Sequence, residues 1–134
     1  MNHFSDELQV RVRYAETDQM GYVYYGNYAQ YLEMGRVEWL RKLGVSYKSM
    51  EDSGVMLPVV RMTIHYKNPG KYDDLLTIHT VLKEVPSVKI TFDYEIANEA
   101  GDRIITAEVV LAFINMETNR PMKCPDYILE KLLS

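Results

Sequence analysis

Five stretches of this chain alternate apolar and polar residues, and one repeats its apolar residues every three or four positions. Leu8, Val10, Val12 and Tyr14 alternate with Gln9, Arg11 and Arg13. The same period of two recurs at Val60 to Tyr66, Leu76 to Leu82, Val88 to Ile96 and Ile105 to Phe113. That period sends successive side chains to opposite faces of a strand, so each run reads as a strand with one buried face. The first strand is expected over about residues 7–15. In the remaining stretch Tyr28, Tyr31, Leu32, Gly35, Trp39 and Leu43 share one face, while Glu33, Arg36, Glu38, Arg41 and Lys42 supply charge. This spacing predicts an amphipathic helix of about four turns. Asn27 suits its N-cap and Gly44 its stop. Gly35 inside a helix costs roughly 1 kcal/mol relative to alanine, so its presence implies close packing against a sheet. Trp39 and the leucines then belong to the core.

The later strands are separated by Pro69-Gly70, Val85-Pro86-Ser87 and Asn98 to Asp102, connections short enough to favour antiparallel neighbours. Pro125 to Leu133 reads as a short closing helix. One strand, a long helix and four strands in 134 residues, with no repeat or low-complexity linker, describe a single α+β domain over residues 1–134. One face of its antiparallel sheet is covered by the helix; the other is either wet or covered by a partner chain.

Charge and composition remove several classes of function. The net charge is −4 and no cluster of lysine or arginine forms a track for a polyanion, which argues against nucleic-acid binding. Cys124 is the one cysteine, without a partner for a disulfide or a metal site, and reads as an inert thiol. Met1 to Glu7 is polar, and the longest apolar run, Val109 to Ile114, is too short to cross a bilayer. A cytoplasmic protein without membrane insertion is the expectation. Gly-x-Ser-x-Gly, phosphate-loop and dinucleotide fingerprints are absent. Five of the eleven tyrosines fall between Tyr22 and Tyr31, which surrounds one short segment with rings carrying polar tips.

That segment, Tyr14-Ala15-Glu16-Thr17-Asp18-Gln19-Met20-Gly21-Tyr22-Val23-Tyr24-Tyr25-Gly26-Asn27-Tyr28, places an aspartate in a glycine-containing loop just before the helix. Such an aspartate either caps a turn or carries chemistry. Its spacing is Asp, two residues, Gly, one residue, Val, three residues, Asn-Tyr. It resembles the 4-hydroxybenzoyl-CoA thioesterase family and the related acyl-CoA thioesterases associated with the Tol-Pal system. The resemblance continues through Glu33, Arg36 and Trp39 and through the strand order to about residue 115.

The resemblance implies a hotdog fold, a five-stranded antiparallel sheet wrapped around one long helix. It also implies homodimers or homotetramers with joined sheets, and sites at the subunit interface. The implied activity is acyl-CoA thioester hydrolysis, without metal or cofactor. Asp18 corresponds to the catalytic aspartate and the Tyr25 backbone N–H to the donor that polarises the thioester carbonyl. Addition to a thioester builds negative charge on the carbonyl oxygen, and free amides at a helix start already aim at such a charge. Asp18 can activate water or attack the carbon to give an anhydride.

Tyr24, Asn27, Tyr28, Ser87 and Lys89 are candidate substrate contacts, although capping alone accounts for Asn27, and a turn with a solvated lysine for Ser87 and Lys89. Glu33 is a second candidate acid, because some hotdog thioesterases place it on the helix; a salt bridge to Arg36 also explains it. Two departures stand out. Tol-Pal-associated members carry histidine at the Tyr25 position. The basic cluster that meets the nucleotide phosphates in the hydroxybenzoyl enzyme is replaced by Lys83-Glu84-Val85-Pro86-Ser87. An acyl-carrier-protein thioesterase and a non-catalytic acyl-binding hotdog protein stay open as alternatives. A hotdog dehydratase needs a histidine beside a carboxylate, and His3, His65 and His79 all lie outside the loop–helix segment.

Overall fold

A computed structural model describes residues 3–134. The strands are β1 (Ser5–Arg11), β2 (Val55–Met56), β3 (Val59–Tyr66), β4 (Leu75–Leu82), β5 (Lys89–Ala97), β6 (Arg103–Ala112), β7 (Ile114–Asn115) and β8 (Arg120–Pro121). The helices are α1 (Tyr28–Lys42), α2 (Tyr47–Asp52) and α3 (Asp126–Leu133). Five strands form an antiparallel sheet in the order β1-β4-β5-β6-β3, and β2, β7 and β8 make a small second sheet. With α1 packed on β1 and β4, this is the expected α+β hotdog arrangement.

The alternating runs explain the core. Leu76, Ile78, Thr80 and Leu82 of β4, Ile90, Phe92, Tyr94 and Ile96 of β5, and Ile105, Ala107, Val109 and Leu111 of β6 are all buried. They meet Tyr28, Tyr31, Leu32, Trp39 and Leu40 of α1, with the Trp39 ring edge-on to Phe92 at 5.0 Å between centroids. The other sheet face is polar, and Glu108 pairs there with Arg61 of β3 at 2.9 Å and Lys83 at 2.8 Å. His65 and His79 belong to β3 and β4, outside the loop–helix segment.

Gly35 marks where the helix touches the sheet. A Cβ there would lie 2.6 Å from Thr80 Oγ1 and 2.9 Å from Ile78 Cγ2, closer than such atoms approach. No larger residue fits unless α1 lifts away from β4. Gly44, at φ +94°, ends the helix as expected.

Two local expectations change, and one helix appears where none was expected. Strand β1 stops at Arg11, short of residue 15, because Tyr14–Glu16 coils into a 3-10 turn whose Glu16 carboxylate accepts the Arg13 N–H. Tyr14 is therefore 79% exposed and rests edge-on against Tyr72. Asn27 does not cap α1 with its side chain. A second 3-10 turn, Tyr25–Asn27, leads into the helix, and Asn27 Nδ2 donates instead to Glu16 O at 2.8 Å. The segment before β3 contains α2, capped by Ser46 Oγ on the Ser49 N–H; lacking a long periodic run, it gave no clear signal.

Replacing Gly35 by alanine tests the seating of α1. Overpacking is expected to lower unfolding free energy by about 1–3 kcal/mol, although the substitution favours an isolated helix by roughly 1 kcal/mol. Urea denaturation measures the balance, and a more stable variant would show that the helix stands off the sheet.

Candidate active site

The segment between the first strand and α1 is a miniature hairpin. Tyr24 N–H donates to Glu16 O at 2.9 Å, Thr17 bridges Val23, and Asp18 N–H donates to Tyr22 O at 2.8 Å. Asp18 stands at its turn, where Gly21 supplies the positive φ of +77°. The hairpin is fastened to the segment after β3 by Val23 N–H on Gly70 O at 2.8 Å and Tyr72 N–H on Gly21 O at 2.9 Å. Gly70 permits this approach, since a Cβ there would come within 3.1 Å of both Tyr28 Oη and Val23 Cγ2.

The geometry gives Asp18 its turn-capping role and leaves one of its oxygens unengaged. Oδ1 accepts from Met20 N–H at 2.9 Å and Tyr22 N–H at 3.2 Å, which caps the turn and fixes the carboxylate plane. Among the described residues Oδ2 has no hydrogen-bond partner, and the side chain is exposed. Asp18 lines a pocket of about 370 Å³ with Tyr22, Val23, Tyr25, Tyr28 and the Tyr66–Pro69 segment. Tyr25 opens the 3-10 turn that leads into α1, and its N–H has no backbone partner among the described residues. The pocket lining therefore includes a carboxylate fixed by its own turn, Tyr25 at the opening of the 3-10 turn, and the tyrosines Tyr22, Tyr28 and Tyr66.

The other sequence candidates fall in different places. Tyr28 is buried in the pocket floor and its hydroxyl accepts from Gly70 N–H at 3.1 Å. Burial is the main cause holding the Tyr28 phenol above its ordinary range. Tyr24 lies against Tyr25, 4.6 Å between ring centroids, outside the lining. Ser87 and Lys89 are exposed and sit at the far end of the sheet: Lys89 pairs with Ala112, near Val59, whereas the pocket meets the Tyr66 end of β3. Seven residues of strand separate those ends, roughly 23 Å.

Glu33 is also outside the pocket, in a second cleft of about 440 Å³ with Arg36, Tyr47 and Lys48. It forms no salt bridge to Arg36, contrary to expectation. Arg36 turns inward, is 7% exposed, and lies beside the hydroxyls of Tyr47 and Tyr94. Cys124 is buried, and burial, followed by the nearby Asp126 carboxylate, pushes its thiol up to about 12. Among the described residues no three His, Cys, Asp or Glu side chains gather to hold a metal, and no helix is long and apolar enough to cross a membrane.

Sequence reasoning missed Tyr66, Lys67, Asn68 and Pro69, which reach Asp18 from more than forty positions away. Pro69-Gly70 signalled only a turn. It also missed Glu16, whose carboxylate collects four donors: Arg13 N–H at 2.9 Å and Tyr31 O–H at 2.8 Å on Oε1, and Arg13 Nη2 at 3.0 Å and Nε at 3.3 Å on Oε2. Burial alone would raise this carboxyl, but the hydrogen bonds from Arg13 and Tyr31 outweigh it and hold it below the ordinary glutamate range.

Comparison with known proteins places the chain among thioester hydrolases. The sequence pattern of the thioesterase-like superfamily matches residues 12–132. YneP of Bacillus subtilis, provisionally named an acyl-CoA thioesterase, is 38% identical over 115 residues, spanning 86% of this chain and 83% of its own. The acyl-CoA thioester hydrolase YbgC of Escherichia coli O157:H7 is 30% identical over 120 residues, or 90% of each chain. A DHNA-CoA thioesterase from Staphylococcus aureus has a solved structure that matches with a TM-score of 0.87 and 32% identity, covering 94% of this chain and 85% of that one.

The Glu16 network makes a pH prediction. Because the folded-state value is lowered, its stabilisation is complete above the ordinary glutamate value, about 4.3, and is lost as pH falls through the folded-state value. Urea midpoints followed from about pH 7 to about pH 3 are expected to fall more steeply for the native protein than for Glu16→Gln. Parallel curves would assign the acid sensitivity to other carboxylates.

Proposed function

The chain belongs to the thioesterase-like superfamily, and we propose that it hydrolyses acyl-CoA thioesters with Asp18 as base or nucleophile and the Tyr25 N–H as oxyanion donor. The observation that supports this reading is that Asp18, with one unengaged carboxylate oxygen, and Tyr25, whose N–H has no backbone partner among the described residues, line the same pocket. As base, Asp18 Oδ2 takes a proton from water while the water oxygen adds to the thioester carbon. As nucleophile, Oδ2 forms the new C–O bond itself, and water then opens the resulting anhydride. In either course negative charge collects on the carbonyl oxygen, where the Tyr25 N–H meets it. Collapse of the adduct breaks the C–S bond and releases the coenzyme A thiolate, which takes up a proton.

A second copy of the chain completes this reading. β3 is an edge strand, paired on one side by β6 alone, and Val59, Val60 and Tyr66 along it are exposed. Antiparallel pairing of two β3 strands joins the sheets and sets the Val59 end of one copy, with Ser87 and Lys89 at that end, beside the Tyr66 end of the other. Lys67 on the pocket lining and Lys89 from across the seam would then serve the carrier phosphates, with Tyr24, Asn27 and Tyr28 shaping the acyl side. Homodimers, or homotetramers built from them, follow from this pairing. The reaction occurs in the cytoplasm in this reading.

Thiol release from short, medium, long and aromatic acyl-CoAs is the direct assay. The native protein is expected to turn over at least one of them, and Asp18→Asn to lose about two or more orders of magnitude in kcat. Equal activity in the variant would make Asp18 a turn residue only. Light scattering during gel filtration is expected to give a dimer or a multiple of it; a pure monomer would leave Ser87 and Lys89 far from any Asp18 and overturn their assignment.

A further inference from the structure

Glu16 is a buried carboxylate to which thioester hydrolysis assigns no direct part. It is 6% exposed and stands two residues before Asp18, yet the pocket does not include it. Every group around its two carboxylate oxygens donates: Arg13 N–H, Arg13 Nε and Nη2, and Tyr31 O–H. Its main-chain oxygen accepts from Tyr24 N–H at 2.9 Å and Asn27 Nδ2 at 2.8 Å. One residue thus ties together Arg13 after the first strand, the first turn of α1, and both strands of the hairpin that carries Asp18.

We propose that Glu16 is a positioning residue for the hydrolysis: it sets the base of the Asp18 hairpin against α1 and so fixes the separation between Asp18 Oδ2 and the Tyr25 N–H. Tyr24, held by the Glu16 carbonyl, directly precedes Tyr25, while Asp18 follows Glu16 by two residues. A tilt of Glu16 therefore moves the carboxylate at the hairpin turn relative to the amide at the helix start. An ionised carboxylate accepts from all of these groups and pairs with the Arg13 guanidinium. A glutamine that kept its oxygen on the Arg13 N–H and Tyr31 O–H would turn its NH2 group toward the exposed Arg13 guanidinium, losing the ion pair and both hydrogen bonds on that side. An aspartate, one methylene shorter, does not span from Arg13 to Tyr31 with the main chain in place. The inference rests on the reading of Asp18 as the reacting carboxylate.

The test is a double-mutant cycle on the full-length protein, with acyl-CoA thiol release as the readout. Glu16→Gln is expected to stay folded and to lose about one to two orders of magnitude in kcat, the scale of an ångström-sized misplacement, with KM within about threefold of native. In the Asp18→Asn background the same substitution is expected to cost nothing further, because the group it positions is gone. Native kcat in folded Glu16→Gln, or a full repeat of the loss on top of Asp18→Asn, overturns the proposal. If Glu16→Gln does not fold, Tyr31→Phe removes one donor to the same carboxylate and is judged by the same cycle: a kcat loss that vanishes without Asp18 supports the positioning role, and native kcat overturns it. Native activity in Asp18→Asn alone would instead refute the Asp18 reading, a result that involves no change at Glu16.

Discussion

The bare contact between α1 and β4 sets the scale for the rest of the molecule. At Gly35 no side chain separates the helix backbone from Ile78 and Thr80, so the helix lies as close to the sheet as main-chain sterics allow. At that depth Leu32 and Trp39 fill the spaces on either side, and the strand residues that alternate inward find apolar partners. The start of α1 is placed by the same contact. The 3-10 turn Tyr25–Asn27 runs directly into that helix start, so the Tyr25 N–H sits one short turn ahead of it.

The hairpin carrying Asp18 is then fitted to that helix start by polar contacts. Its backbone groups pair with one another and with the Gly70–Tyr72 segment, and Glu16 fastens its base to Arg13, Tyr31, Tyr24 and Asn27. Reactive groups on loops need such support from rigid elements, because an exposed loop otherwise samples many geometries. The division of labour within Asp18 follows the same logic. One oxygen is committed to the turn and immobilised, and the other has no hydrogen-bond partner among the described residues.

Much of this was legible in residue order. Strict alternation marked all five strands of the main sheet, and the change of period at residue 27 marked α1. The glycine at position 35 announced the close packing that the helix makes, and the motif from Asp18 to Tyr28 pointed to the pocket. What misled was local reasoning about side chains with several possible partners. Tyr14 continued the alternation but was drawn out of the strand by the turn at Glu16. Asn27 had the composition of a cap but found a carbonyl eleven residues back. Arg36 stood one helical turn from Glu33, yet turned to the tyrosines beneath the helix.

The sequence by itself determined the five strands of the main sheet, the long helix, the buried faces of the inner strands and the residues of the motif, because period and turn chemistry act over a few positions; the apolar residues Val60 and Tyr66 of β3 alternate in the same way but are exposed. Only the tertiary structure decided that the Tyr66–Pro69 end of β3 walls the Asp18 pocket, that Ser87 and Lys89 lie at the opposite end, and that Glu16 joins the hairpin to the helix. Those relations depend on strand order, register and helix seating. These bring together residues far apart in the chain, and no local pattern encodes them.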